Sequence, residues 1–129
     1  MQDFHNLLVW RRAHELALHV DRLARQFPRA GSASLKSQLC RAADSIAANI
    51  VEGCGAATQR EFARYLDIAI KSSSETEYHL LNARDRSLLP PADCDKQTDE
   101  LTQIRRMLFA LRKQVLLSLN PSSRLSAEH

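Results

Sequence analysis

The sequence predicts an all-α protein, an antiparallel up-down-up-down four-helix bundle, on three observations. Helix breakers are few, with three Gly and four Pro in 129 residues. Leu and Ala dominate the apolar residues, and the β-branched ones form no alternating run of the kind a half-buried strand requires. The apolar positions instead recur at spacings of three and four in four segments, and breaks of only a few residues make successive helices antiparallel neighbours. A chain of this length buries most of its apolar surface as one domain, here residues 1–119, without disulfides or metal.

The first helix is expected over about 7–27, with Asn6 as N-cap and Pro28 as its stop. Val9, Ala13, Leu16, Val20, Leu23 and Phe27 form its inner seam. Advancing about 100° per residue puts Arg11, Arg22, Arg25 and Arg29 on the opposite side, with Arg12 at the border. The second helix, about 34–53, turns Leu35, Leu39, Ala42, Ala43, Ile46 and Ile50 inward and reads Gly53 as a left-handed cap. Thr58 and Glu61 form a capping box that opens the third helix, about 58–87. Its seam is Phe62, Leu66, Ala69, Ser73, Thr76, Leu80 and Ala83, so two hydroxyls stand where apolar residues are expected. Pro90-Pro91 breaks the chain before the fourth helix, about 91–119, which faces Leu101, Ile104, Leu108, Leu111 and Val115 inward. Residues 120–129, NPSSRLSAEH, read as a frayed, flexible tail.

Charge and cysteine content narrow the function. Eighteen basic residues, fourteen of them Arg, against fifteen acidic ones leave a formal charge of +3, which permits an anionic partner without requiring one. Cys40, Cys54 and Cys94 show neither a disulfide framework nor CxxC spacing and read as reduced thiols of a cytoplasmic protein. No leader or membrane-spanning run is expected.

Enzyme signatures fail on geometry. His14 and His19 are five apart and so point about 140° away from each other, unlike a zinc-binding pair four apart. No Glu-x-x-His is present for a carboxylate metal site, and Glu75 with His79 falls outside the core seam. Gly53-Cys54-Gly55 lacks the Lys-Ser/Thr of a phosphate loop, and no base or pocket attends Cys40 or Cys54. No catalytic residue, cofactor or metal is implied.

Three surface features stand out instead. A polar line, Gln38, Arg41, Ser45, Asn49 and Glu52, flanks the seam of the second helix and is read as a shared polar contact with the third helix, where Ser72, Ser73, Thr76, Glu75 and Glu77 lie, or with another subunit. Phe109 and Leu116, seven apart and displaced from the fourth helix's seam, are read as an oligomer interface. The stripe Arg11, Arg12, Arg22, Arg25 and Arg29, with Arg105, Arg112 and Lys113, is the candidate nucleic-acid-binding set, suited to phosphates rather than base edges.

The pieces Leu7-Leu8-Val9-Trp10 with Ala13 and Glu15-Leu16, Phe27-Pro28, Ser37 to Ala43, Ser45 to Gly53, Glu61-Phe62, Tyr65-Leu66, Ile68-Ala69, Ser72, Glu75 and Glu77 resemble the four-helix-bundle family encoded in intervening sequences of bacterial 23S ribosomal RNA genes. The resemblance covers about residues 4–119. Ala47 stands where that family often has Pro, Lys71 where it favours Gly, and Thr76 where it usually has Leu. The resemblance implies a protein without established enzymatic activity that assembles as a homo-oligomer, a pentameric ring of bundles, like the related accessory proteins of diversity-generating retroelements. Those relatives associate with a reverse transcriptase and with nucleic acid, so RNA or DNA and a protein partner are the expected company. A protein-interaction scaffold that touches no nucleic acid is the alternative.

Overall fold

The computed structural model describes residues 2–119; the segment 120–129, read above as a tail, lies outside them. Four helices form a bundle, and among the described residues there is no strand: α1 is Leu8–Arg25, α2 Ala33–Cys54, α3 Gln59–Asp85 and α4 Pro91–Ser118. Each predicted helix is present, with ends within a few residues of expectation. The most extensive contact is α2 with α3, followed by α3 with α4 and α1 with α2, while α1 meets α4 over the least area.

The seams pack as the 3.6-residue period requires. Leu16 and Val20 of α1, Leu39, Ile46 and Ile50 of α2, Leu66 and Leu80 of α3, and Leu101, Ile104 and Leu108 of α4 are almost wholly buried in one core. Leu23, Leu35 and Leu111, expected inside, sit at its margin, partly buried. At about 25 cal/mol per Å² of apolar surface removed from water, this burial is the main force holding the helices together.

The caps differ from expectation in three places. Asn6 does not cap α1: Phe4–Asn6 forms a short 3-10 turn, capped by Asp3, whose carboxylate accepts from the His5 amide at 3.0 Å. Thr58 does cap α3, its hydroxyl accepting from the Glu61 amide at 3.1 Å, but the Glu61 carboxylate turns to Arg64 instead of completing the box. Gly53 is not a left-handed cap. It lies inside α2, buried, while Gly55 takes the cap position with a negative φ of −87°. Gly53 serves packing instead, because a Cβ there would lie 2.8 Å from Cδ1 of Phe62 and 3.1 Å from Cβ of Tyr65.

The positive-φ positions are Gly31 and Ser87, in the breaks after α1 and α3. Gly31 accepts its φ of 77° without cost, since glycine lacks the Cβ that penalises this region.

The close approach at Gly53 is testable. Glycine inside a helix costs about 1 kcal/mol relative to Ala, so a larger residue would stabilise α2 if space allowed. Gly53→Val is expected to destabilise the protein by about 1 to 3 kcal/mol through overpacking against Phe62. Urea unfolding monitored by circular dichroism measures this, and an unchanged or higher midpoint would remove the constraint.

Candidate functional site

The polar line of α2 survives only in its middle. Asn49 Nδ2 donates to the Ser45 carbonyl at 2.8 Å and to Ser45 Oγ at 2.9 Å, and Ser45 Oγ shares a 2.8 Å hydrogen bond with Ser72 Oγ on α3. Ser45 Oγ accepts from Asn49, and either serine hydroxyl can donate in the bond between them, so the three side chains form a relay across the helix interface. Gln38 lies a turn away and donates to Ser34 within its own helix at 3.0 Å. Arg41 and Glu52 are exposed and join neither each other nor α3. The five-residue line is therefore a three-residue contact, Asn49-Ser45-Ser72, and the rest is solvated helix edge.

The remaining α3 residues expected to meet α2 look elsewhere. Ser73 Oγ donates to the Ile70 carbonyl at 2.6 Å and Thr76 Oγ1 to the Ser72 carbonyl at 2.7 Å, so both buried hydroxyls are satisfied by their own helix. Glu77 faces α4, where Arg105 donates to it at 2.8 Å and to Ser73 Oγ at 3.0 Å. Glu75 is exposed and its carboxylate lies 3.4 Å from Nε2 of His79. His79, expected outside the seam, is only 5% exposed and its Nδ1 has no hydrogen-bond partner.

The cationic set divides in two. Arg12 pairs with Glu100 of α4, Arg105 with Glu77 and Arg112 with Asp67, each linking two helices. These three arginines are engaged between helices and are not free to neutralise phosphates. Arg11, Arg22, Arg29 and Lys113 are exposed and enter no ion pair among the described residues, while Arg25 pairs with Asp21 one turn back, both well exposed. Asp67 and Glu100 were not foreseen as partners; an acidic residue one step off an apolar seam was the available signal.

The Phe109/Leu116 stripe also separates. Phe109 is 53% exposed, whereas Leu116 packs against the core. Separately from Phe109, Leu8 and Leu117, 54% and 52% exposed, line an open groove of about 450 Å³ between the start of α1 and the end of α4. Leu7, Val9, Met107 and Ala110 line it, with Lys113 at its edge.

Nothing in the thiols suggests nucleophilic chemistry. Burial pushes Cys40, Cys54 and Cys94 all up from the ordinary thiol value, and Asp21 and Asp44 push Cys40 further. His14 stacks on Trp10 with ring centroids 5.4 Å apart. Among the described residues no three His, Cys, Asp or Glu side chains gather as metal ligands, and no helix is long and apolar enough to cross a membrane.

A family model described as 23S rRNA-intervening sequence protein matches residues 5–110. Among solved structures, a protein with unknown function from the S23 ribosomal protein family of Bacteroides thetaiotaomicron is 25% identical and superposes with a TM-score of 0.77, over 82% of this chain and 96% of that one. No curated protein matches the chain.

The Asn49-Ser45-Ser72 relay predicts a coupling energy. In a double-mutant cycle with Ser45→Ala and Ser72→Ala, the pair is expected to couple by about 0.5 to 1.5 kcal/mol, since either single change removes the hydrogen bond between them. Additive effects on urea unfolding would mean that the two helices are held by apolar packing alone.

Proposed function

The chain belongs to the family of 23S rRNA-intervening sequence proteins, and from that premise we propose that it is a non-enzymatic, self-associating helical bundle whose α1 surface binds nucleic acid. The observation that carries self-association is the apolar groove between α1 and α4, with Leu8 and Leu117 each more than half exposed in it, and a further exposed ring, Phe109, on α4. Apolar surface gathered in one patch and rimmed by polar residues is typical of protein–protein contact surfaces. A closed ring, with five copies favoured by the family resemblance, uses such a groove head to tail.

The up-down-up-down course belongs to the same proposal. Cross-helix pairs run in opposite directions along the chain: Gly53 with Phe62 and Ser45 with Ser72 join α2 to α3. Asp67 with Arg112 and Ser73 with Arg105 join α3 to α4 in the same sense. This order leaves α1 and α4 as neighbours at the open edge.

Nucleic-acid binding rests on Arg11, Arg22, Arg25 and Arg29, which are exposed and not tied to another helix. Guanidinium groups spread along α1, with Arg29 in the break that follows it, meet phosphates without reading sequence. The protein works in the cytoplasm in this reading, its three cysteines as thiols, and acts as an accessory to another protein such as a reverse transcriptase. The second reading, a scaffold that binds only protein, is favoured by the internal pairing of Arg12, Arg105 and Arg112, which shrinks the basic surface.

Two measurements address these roles. Phe109→Glu with Leu117→Glu is expected to preserve helicity and lower the mass measured by light scattering; an unchanged oligomer mass would exclude the groove as the interface. Leu116 is the wrong probe, because a charge there would disturb the core. For nucleic acid, binding of mixed single-stranded RNA and duplex DNA should weaken steeply with salt, and Arg22→Gln should reduce the slope of log affinity against log salt by about one. Absence of binding at low ionic strength for both would select the scaffold reading.

A further inference from the structure

The start of the chain carries a row of four rings, His5, Phe4, Trp10 and His14. Phe4 and Trp10 are partly buried against the core, where they meet edge to face with ring centroids 4.9 Å apart. An imidazole lies on each of them. His5 stacks on Phe4 at 4.1 Å, and His14 lies parallel to Trp10, with an interplanar angle of 2° and centroids 5.4 Å apart. Offset stacks and edge-to-face pairs are the arrangements that ring quadrupoles favour.

The two ends of the row face water. His14 is exposed and has no hydrogen-bond partner among the described residues, so its ring is held against Trp10 on one face and open on the other. His5 is exposed too, and its Nδ1 is bound by Asp3 at 2.8 Å, a contact at the ring edge that fixes the imidazole without covering its face. A ring supported on one face and wet on the other can accept a further flat ring at little cost in side-chain entropy.

The helical register sets this row beside the cations. Trp10, His14, Leu18 and Arg22 follow at four-residue steps, each about 6 Å further along α1 and turned by about 40°. Arg11, three residues before His14, points between the directions of His14 and Arg22. Arg11 and Arg22 are exposed and enter no ion pair among the described residues. Leu18, amid these cations, is 45% exposed, an apolar side chain for which a surface meeting phosphates alone has no use.

The carboxylates nearby are placed elsewhere. Asp3 holds His5, and Asp21 pairs with Arg25. Burial and Asp21 raise the carboxyl of Asp44, and His14 partly offsets that rise, so Asp44 stands near this imidazole. It belongs to α2 and lies on that side of the ring, away from Arg11 and Arg22.

An open ring face flanked by unpaired guanidinium groups matches an unpaired nucleotide, whose base offers a π face and whose phosphate offers charge. A duplex keeps its base faces inside its own stack, whereas unstacked bases settle on aromatic and His rings. We propose that the Trp10-His14 stack, continued along α1 by Leu18, receives the bases of single-stranded nucleic acid while Arg11 and Arg22 hold its phosphates. The proposal rests on the nucleic-acid reading of α1 above and narrows it to single strands.

The test uses the full chain with a fluorescein-labelled oligothymidylate of about a dozen nucleotides and a duplex of the same length. Anisotropy gives the affinities, and proton-carbon NMR spectra of the histidine rings report stacking. The single strand is expected to move the His14 ring protons upfield, and the duplex is not. His14→Ala should weaken single-strand binding at least about fivefold, the loss of one base stack, while leaving duplex affinity and the salt slope unchanged. His14→Phe keeps a ring without the imidazole nitrogens and should retain native affinity. Because His14 is exposed, both variants are expected to fold. Single-strand binding without a His14 shift, an alanine variant that binds like the native chain, or a phenylalanine variant as weak as the alanine one overturns the stacking proposal and leaves the arginine reading standing. Failure of both probes to bind at low salt overturns the two together.

Discussion

The structure depends on how closely α2 can approach α3. Gly53 of α2 meets Phe62 and Tyr65 of α3 at distances that a Cβ could not occupy, so the missing side chain brings the two backbones together where Leu would hold them apart. Polar burial in α3 carries a cost, because Ser72, Ser73 and Thr76 are all buried, and burying an unpaired hydroxyl is unfavourable by at least about 1 kcal/mol. The cost is removed locally. Ser73 and Thr76 bond to carbonyls of their own helix, Ser73 also accepting from Arg105 of α4, and Ser72 is the one that reaches α2, at Ser45. The interface can therefore be narrow and still contain polar atoms, and one cross-helix hydrogen bond gives it a register.

The other side of α3 is organised by charge. Arg105 and Arg112 cross from α4 to Glu77 and Asp67, and Arg12 crosses from α1 to Glu100. Half-exposed pairs of this kind contribute little individually to stability, about 0 to 1 kcal/mol each, but they decide which cations remain available at the surface. A net charge of +3 thus overstates the basic surface, and on α1 the outward Arg11, Arg22 and Arg25 meet only solvent or a residue of their own helix.

The seams were legible because burial on one side of a helix writes itself into the sequence at spacings of three and four. Even the two hydroxyls in the α3 seam were readable, as positions that had to be inside. What periodicity does not encode is which neighbour a boundary residue meets. Glu77 and Ser72 both flank the same seam, yet Glu77 belongs to the α4 side and Ser72 to the α2 side, a distinction of packing angle that spacing does not carry. Gly53 was misread for a related reason. A glycine near a helix end has two uses, cap or close contact, and here Gly55 two residues later could end the helix and free Gly53 for Phe62. His79 was missed because a histidine next to the seam residue Leu80 has the polarity of a surface residue and the volume of a buried one.

These constraints together locate what the bundle has left to offer. α3 has one face committed to α2 by the close contact at Gly53 and a hydrogen bond, and another committed to α4 by ion pairs. α2 is committed to α3 and to α1. The thinnest contact is α1 with α4, where Arg12 and Glu100 join the helices but Leu8 and Leu117 remain largely in water. Water-exposed Leu in a patch is unfavourable for an isolated bundle by about 25 cal/mol per Å², and it is tolerated in an oligomer because the partner removes that exposure. The same edge lies on the helix that carries Arg11, Arg22 and Arg25, so the proposed association there would set those arginines from successive copies into a repeating array. An array converts several weak phosphate contacts into avid binding without any new contact chemistry, which is why the apolar edge and the basic face of α1 make more physical sense together than either does alone.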